Sequence, residues 1–489
     1  MKDERQELFH QEPLIELINT NSNVKNIDVY FDVIIDEKDI FSEITNRNIE
    51  FHNCCFNGSV ILSNIVLLER VPIIFHNCSF KIKVILTNIS CIQVDFRLCS
   101  FELDTFVANS EIETLNFTNC TVKSYLAFDR IKASYICLNE NIIHNAKFWE
   151  IKADRFQINS LMQNKISRID FGDNPDLKFL DINSHNNIDI IYLDNIGTAR
   201  LIGDYKVVTI FGELFKVISI GNKSDVLSNI ESLTYTNRIF EGQLILQNSK
   251  IKKLDFKDLT CVNGNVRFNN IEICTTSLNN VIISNFYLNQ VIFKKELIIK
   301  ASDLSGLKPN NVTWLKNRIL TPDTVFDKKQ KDLLEIKYQR DTFRQIKSAY
   351  KSTNNKIEEL AFYRNEMLLY WKEFKLTKTE TKENRILIWI NKWVSDFGQS
   401  YLRPLCLLLK IHFIFCLVIW NIEVYNHCGI NTNCSNDFLK GLKEFFLWLN
   451  PVFTLPKHWT DLSIFISCFM RFINGFFIYH FIKATRKFS

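Results

Sequence analysis

The stretch FHNCCFNGSVILSNI (51–65) returns 24 residues later as FHNCSFKIKVILTNI (75–89), with ten of fifteen positions identical. Related stretches follow as VDFRLCSFELDTFVANS (94–110) and LNFTNCTVKSYLAFDRI (115–131). Such self-similarity at a fixed period indicates a repeat architecture. The positions brought into register are Phe51, Phe75, Phe96 and Phe117, together with Cys54, Cys78, Cys99 and Cys120, at spacings of 24, 21 and 21 residues.

The repeat unit is too short for a pair of helices. It contains short strand-like runs with Asn at the corners and shows no helical period, so it predicts one coil of a β-solenoid, whose inner face is buried by stacking. Phe51 and Phe56 are five residues apart, and Cys54 precedes the second Phe by two. This five-residue rhythm is typical of a four-sided coil with a large residue at each face centre.

Five short units carry a resemblance to a known family. They are NCCFN (53–57), NCSFK (77–81), LCSFE (98–102), NCTVK (119–123) and NAKFW (145–149). They resemble the A(N/D)LXX unit of the pentapeptide-repeat family, which implies a right-handed quadrilateral β-helix. The predicted fold is therefore mainly β: a right-handed, pentapeptide-like β-solenoid followed by a helical hairpin and a two-helix transmembrane module.

The solenoid is expected to be irregular and to span residues 46–310, behind an N-terminal cap at residues 1–45 that covers the unpaired edge. The match is strongest over 51–150, and the stretch 195–245 reads as strands without a clear register. A face of the solenoid that binds a ligand or partner is expected, without named residues.

Composition limits the classes of function. The net charge is only +5 over 489 residues, which does not favour nucleic-acid binding, and the N-terminus shows no secretory signal. The chain has 14 cysteines but no C-x₂-C pair, and side chains stacked in a column do not converge on a metal, so buried thiols are expected and no metal site. Motifs for phosphate, hydrolase or zinc-protease chemistry are missing, so neither an enzyme nor a cofactor is predicted.

The pattern becomes helical near residue 320. Residues 320–383 predict a basic helical hairpin, and residues 327–383 carry 14 Lys and Arg against 10 Asp and Glu, a net charge of +4. Residues 385–399 predict an amphipathic helix at a membrane surface, with Trp389, Trp393 and the nearby Arg403 as interfacial anchors.

Two segments, 404–425 and 461–483, are long and apolar enough to cross a bilayer. Basic residues before the first and after the second predict a multi-pass protein of the inner membrane with both termini in the cytoplasm. Between them, residues 436–450 predict a helix too short to span, either re-entrant or interfacial. Cys428 and Cys434 are predicted to lie on the outer side of the membrane. The sequence allows either a disulfide between them or two free thiols.

Arg471 stands about ten residues into the second span. A charge at this depth is costly unless it faces a cavity, a neighbouring helix or an opposite charge, so Arg471 is predicted to line a pore or a subunit contact. The alternative is that the second span has other bounds than 461–483, so that Arg471 lies near its boundary. Further pore or gating candidates are Asn474 and the three carboxylates that are candidate partners of Arg471, namely Glu423, Glu444 and Asp461.

Two C-terminal stretches resemble a group of bacterial membrane proteins that also carry pentapeptide-like repeats. They are TFRQIKSAYKSTNNKIEELAFYRNEMLLY (342–370) and the set SDFGQSYLRP, NPVF and FMRFINGFFIYHFIKATRKF within 395–488. Related architectures act as antiviral defence effectors, including Hailong-type channel effectors. The resemblance implies a channel that a cytoplasmic sensor opens. A span, a short helix and a second span are also the layout of two-helix channel subunits, which form a pore only as oligomers, most often tetramers.

The partners expected are membrane lipids, further copies of the chain, and a nucleotide, DNA oligomer or protein regulator. The alternative function is a membrane-anchored scaffold, in which the solenoid binds proteins and the two helices serve as an anchor.

Overall fold

In a computed structural model, the chain forms two compact units, residues 1–322 and 323–489. The structure describes residues 6–20, 23–30, 32–36, 48–67, 71–160, 166–211, 215–221, 227–236, 239–315, 319–320, 328–377, 381–427, 445–450 and 460–485.

The first unit is a parallel β-solenoid of about 13 turns. Each strand pairs with the strand one coil away, and the ladder joins Phe51 to Phe75, Phe75 to Phe96 and Phe96 to Phe117, which confirms the register read from the repeats. The rings of these four residues stack inside the solenoid with centroids 4.8, 4.9 and 4.7 Å apart. The right-handed sense and the four-sided section stay predictions.

The strands of the first coils are short, with two to eight residues each. They are β1 (Gln6–Leu8), β2 (Asn23–Lys25), β3 (Ile27–Val29), β4 (Val33–Asp36), β5 (Ile49–His52), β6 (Cys55–Phe56), β7 (Val60–Ser63), β8 (Pro72–His76), β9 (Ser79–Phe80), β10 (Val84–Thr87), β11 (Ser90–Arg97) and β12 (Ser100–Phe101).

Longer strands dominate the later coils. They are β13 (Thr105–Thr118), β14 (Thr121–Asn139), β15 (Ile142–Trp149), β16 (Lys152–Ser160), β17 (Ile166–Asp173), β18 (Phe179–Asp194), β19 (Thr198–Phe211), β20 (Val217–Ile220), β21 (Ser228–Thr236), β22 (Gln243–Lys257), β23 (Thr260–Cys261), β24 (Asn265–Asn279), β25 (Ile282–Ile283), β26 (Phe286–Lys300), β27 (Leu307–Asn310) and β28 (Ile319–Leu320).

Many coils turn at two residues with left-handed backbone conformation, ten or eleven positions apart. Asn is frequent there because it tolerates this conformation better than other side chains with a Cβ. Stacked Asn side chains also bond between coils: Asn77 Nδ2 donates to Asn53 Oδ1 over 2.7 Å, and Asn88 Nδ2 donates to Asn64 Oδ1 over 2.8 Å. The pairs are Asn53 and Asn64, Asn77 and Asn88, Leu98 and Asn109, Asn119 and Arg130, Glu140 and Glu150, Asn248 and Asp258, Asn270 and Asn280, and Gln290 and Ala301.

Leu98 interrupts this ladder between Asn77 and Asn119. Its φ is 55°, and its side chain is 52% exposed. We expect Leu98→Asn to stabilise the solenoid by about 1 kcal/mol, because it relieves the left-handed strain and restores an amide to the column. Urea unfolding of the full chain tests this, with Leu98→Ala as the control that removes the leucine but keeps the strain. Equal stability of the two variants would contradict the role assigned to the ladder.

The four aligned cysteines lie inside the coils, where their thiols donate to backbone carbonyls. Cys78 Sγ lies 3.4 Å from the Phe51 oxygen, and Cys99 Sγ lies 3.4 Å from the Phe75 oxygen. Burial raises the pKa of the Cys99 thiol, so it stays protonated and is a poor nucleophile. The next member of the column is Asn141, whose Nδ2 donates to the Phe117 oxygen over 2.8 Å.

The unit NAKFW lies on a different face of the coil from the other four. Ala146 pairs with Leu126 and Phe148 with Phe128, whereas Val122 of NCTVK pairs with Ile143. The unit therefore has the same alternation of small and large residues as the other four, but it lies one face further along the coil.

Pairing begins earlier than the expected boundary at residue 46. Gln6 already pairs with Ile27, and Val24 pairs with Phe51, so the first strands belong to the ladder. The helix α1 (Gln11–Thr20) contributes the buried residues Leu14 and Ile18 next to these strands. Within 195–245, where no register could be read, β19 pairs in parallel with β18, β20 and β21.

The second unit is helical: α2 (Lys328–Ser352), α3 (Lys356–Thr377), α4 (Lys382–Ser395), α5 (Leu402–His427) and α6 (Asp461–Thr485). The helices α2 and α3 form the predicted hairpin, and Asn354 supplies a left-handed residue at its turn with a φ of 57°. The buried Glu366 accepts hydrogen bonds from Arg344 Nε over 3.2 Å and from Lys347 Nζ over 2.6 Å. Charges on the inner side of the hairpin thus hold its helices together.

The connection from α4 to α5 contains three successive left-handed residues, Asp396, Phe397 and Gly398, with φ values of 48°, 58° and 85°. Arg364 Nε of α3 donates to Asp396 Oδ2 over 2.9 Å. Phe397 is buried in a cluster with Phe374 of α3 and Ile388 of α4. Packing and an ion pair therefore hold a backbone that is unfavourable for Asp and Phe.

Candidate functional site between two membrane-length helices

Helices α5 and α6 pack against each other and are unusually apolar. The segment Leu402–Ile422 has 21 residues and a mean hydropathy of 2.2, and Asp461–Thr485 has 25 residues and a mean hydropathy of 1.6. By length and composition, both could cross a membrane. Ile419 of α5 and Met470 of α6 form one buried cluster together with Trp448, and Leu408 of α5 and Phe477 of α6 belong to another.

Polar side chains lie in the middle of this apolar contact. His412 of α5 and Asn474 of α6 are fully buried. Asn474 Nδ2 lies 3.0 Å from His412 Nδ1, and His412 Nε2 lies 2.8 Å from the backbone oxygen of Phe445. Since an amide NH₂ can only donate and a carbonyl can only accept, both contacts are satisfied by a neutral imidazole with its proton on Nε2.

More polar atoms face the same contact. Ser463, Ser467 and His480 share the buried side of α6 with Asn474. Among the described residues, Asn474 Oδ1 and His480 Nδ1 are buried and have no hydrogen-bond partner. Each unpartnered buried polar atom costs about 1–3 kcal/mol, so this cluster reduces stability and calls for a functional explanation.

Arg471 lies at the edge of this cluster. It is half-buried, four residues after Ser467 and three before Asn474, so helical spacing puts it beside the buried side of α6. A Cβ added to Gly475, one turn further on, would meet open space. Asp461 begins the same helix ten residues earlier, about 15 Å along its axis, which is too far for an ion pair with Arg471 within one chain.

The other predicted polar candidates lie outside what the structure describes. Glu423 falls within α5, but its side chain is not among the described ones, and Glu444, Cys428 and Cys434 lie outside the described residues. The twelve cysteines that are described are free thiols.

Part of the predicted short helix is described, and residues 445–449 are helical. The carbonyl of Phe445 bonds to His412, the eleventh residue of α5, and Trp448 joins the cluster of Ile419 and Met470. These residues therefore pack against the middle of the helix pair.

The predicted interfacial anchors lie on α4 and at the start of α5. Trp389 and Trp393 are each 51% exposed and stack with ring centroids 6.0 Å apart, and Arg403 is exposed. The helix α4 thus presents aromatic side chains outward, as the amphipathic pattern predicts.

A long groove of about 930 Å³ follows one face of the solenoid between residues 66 and 178. Its charged side chains pair with one another, including Lys178 with Asp154 over 2.6 Å and Lys152 with Asp176 over 3.5 Å. These pairs leave the groove with little unbalanced charge.

Another solenoid face carries a denser cluster. The buried Asp181 pairs with both Arg155 and Arg200, and the two guanidinium groups lie 5.7 and 5.9 Å from the ring of Phe179. Two arginines on one carboxylate leave a net positive, partly exposed surface.

No family model, curated protein or solved structure matches the chain. Fold and site alone define its class: a parallel β-solenoid, consistent with a pentapeptide-like repeat, followed by helices of which two could cross a membrane. Among the described residues, no three His, Cys, Asp or Glu side chains form a group that could hold a metal ion.

The sequence analysis named Asn474 and Arg471 as candidates, and it did not name His412 or His480, which the structure places beside Asn474 or on the same side of α6. A signal was available, because polar residues in the middle of an apolar span are rare and usually face the interior of a helix bundle. The contact of His412 with the Phe445 backbone, in contrast, depends on the path of the loop and has no sequence signature.

Proposed function

We propose that this chain is a subunit of an oligomeric ion channel, or pore-forming effector, in the bacterial inner membrane. The observation that carries the proposal is a polar cluster between two apolar helices, formed by His412, Asn474 and the backbone oxygen of Phe445, with Arg471 at its edge. Polar and ionisable groups at this depth are costly in a bilayer and commonly mark an ion path.

Two helices cannot enclose a pore alone, so the proposal requires several copies, with four as the expected number. The outward side of α6 supports contacts with lipid or with other copies. It carries a row of exposed aromatic residues at helical spacing: Phe465, Phe469, Phe472, Phe476 and Tyr479. In this arrangement, residues 445–449 form part of a re-entrant segment.

The solenoid is the proposed cytoplasmic sensor, and the hairpin of α2 and α3 transmits its state. The cluster of Arg155, Asp181 and Arg200 supports an anionic activator, such as a nucleotide or a DNA oligomer, over an uncharged one. A role in antiviral defence, in which opening depolarises the infected cell, rests on the C-terminal resemblance to bacterial channel effectors.

Ion flux from liposomes tests the channel. Liposomes that contain the purified full chain should lose an ion gradient faster than protein-free liposomes when nucleotides or DNA oligomers are added, and light scattering in detergent should give a multiple of the chain mass. A monomer in detergent, with no flux under any activating condition, would instead support the membrane-anchored scaffold.

A further inference from the structure

Helices α3, α4 and α5 line an open groove of about 600 Å³, here called the Trp–Lys groove. It lies next to the first turns of α5, the helix whose segment Leu402–Ile422 could cross a membrane. Its lining combines aromatic, cationic and small apolar side chains: Trp371, Lys375, Trp389, Lys392, Trp393, Arg403, Cys406 and Leu407.

The cations of this groove have no acidic partner among the described residues. Within the described part of the chain, Lys375, Lys392 and Arg403 have no carboxylate within ion-pair distance, and no acidic residue lines the groove. Elsewhere in the same unit, Arg340, Arg344, Lys347 and Arg364 all have acidic partners. Three positive charges that have no acidic partner in the described part of the chain favour an anionic occupant of the groove.

The rest of the lining suits an amphipathic occupant. Trp389 and Trp393 stack with half of their surface exposed, and Lys375 Nζ lies 5.4 Å from the centroid of the Trp371 ring. Beyond Arg403, the next turn of α5 contributes Cys406 and Leu407, so the lining changes from charged to apolar within about 6 Å of helix rise. Trp and basic residues together are typical of the boundary between lipid headgroups and acyl chains.

We propose that the Trp–Lys groove binds one anionic phospholipid. Lys375, Lys392 and Arg403 contact the phosphate and headgroup, the tryptophans cover the glycerol region, and an acyl chain follows Cys406 and Leu407. The inference rests on the proposed membrane location of α5 but does not require ion conduction. Because the groove is built from α3, α4 and α5, a bound lipid would link the hairpin to the start of the membrane helix.

Native mass spectrometry of the full chain in detergent tests the site with added phosphatidylglycerol and phosphatidylcholine of identical acyl chains. We expect retention of phosphatidylglycerol only, and a loss of affinity of about tenfold or more in the triple variant Lys375→Gln, Lys392→Gln, Arg403→Gln. The matched control Lys351→Gln, Lys372→Gln, Lys382→Gln removes the same charge from exposed positions outside the groove and should bind normally. A charge-retaining variant, Lys375→Arg with Lys392→Arg and Arg403→Lys, should also keep binding.

Three results would overturn the lipid site: equal retention of both lipids, equal binding by the groove variant and its control, or displacement of the lipid by millimolar inorganic phosphate. The last result would identify a site for free phosphate. Flux measured on the same preparations separates the two proposals. Ion flux without lipid selectivity removes only the lipid site, and selective lipid retention without flux removes only the channel.

Discussion

Replacing Arg471 by leucine is expected to lower ion flux from liposomes by about tenfold or more while leaving the oligomer intact. The substitution removes a half-buried charge near the middle of α6, beside Asn474 and the open space next to Gly475. If this charge faces the ion path, its loss makes the path more apolar and raises the barrier to hydrated ions. Flux per reconstituted oligomer is the measurement.

Two variants control for charge and for general effects on α6. Arg471→Lys retains the charge and should keep most of the flux, whereas Lys483→Leu removes an exposed charge from the last turn of the same helix and should leave flux near the wild-type value. If Arg471→Leu leaves the flux unchanged, the arginine does not line the proposed pore. It would then be an arginine near the boundary of the membrane segment.

The contact between His412 and Asn474 should show the second large effect, on stability. We expect His412→Leu and Asn474→Leu each to lower the free energy of unfolding by about 1–3 kcal/mol, since each leaves a buried polar partner unsatisfied. The double variant should lose less than the sum, with a coupling energy of about 1 kcal/mol, as is usual for polar pairs between membrane helices.

Unfolding of the full chain by SDS in mixed micelles, followed by hydrogen exchange in α5 and α6, gives these energies. Asn421→Leu is the matched control, because the amide of Asn421 donates to the Leu417 carbonyl of its own helix and the residue is exposed. Strictly additive losses in the double variant would show that the two side chains do not act as a pair.

The solenoid could be predicted where its repeats have strong chemical constraints. Phe96 must fill the interior and Asn77 must turn a corner, so their spacing reveals the coil. The repeat pattern does not reveal the register of the coils where several residue types can occupy the same position. Leu98, Arg130 and Glu140 all occupy left-handed corners. Residues as different as Ala199, Leu201 and Tyr205 fill the core of β19, so the register between 195 and 245 was not visible in the sequence.

The candidate site was less predictable because it joins distant segments. Helical periodicity places Arg471 and Asn474 on adjacent parts of α6, but it does not reveal that Asn474 meets His412, 62 residues away. The Trp–Lys groove shows the same limit. Trp389 and Trp393 were expected to anchor α4 at a surface, whereas the cavity that they share with Lys375 depends on how α3 packs.

The three left-handed residues after α4 form a connection to α5 that is held in one conformation by its contacts. Asp396 is tied to Arg364, Phe397 is packed between α3 and α4, and α5 begins within a few residues. A flexible loop here would absorb a tilt of α3 as a harmless rearrangement. Because Asp396 and Phe397 are both held by contacts with α3, a change in the position of α3 is expected to shift the start of α5 as well.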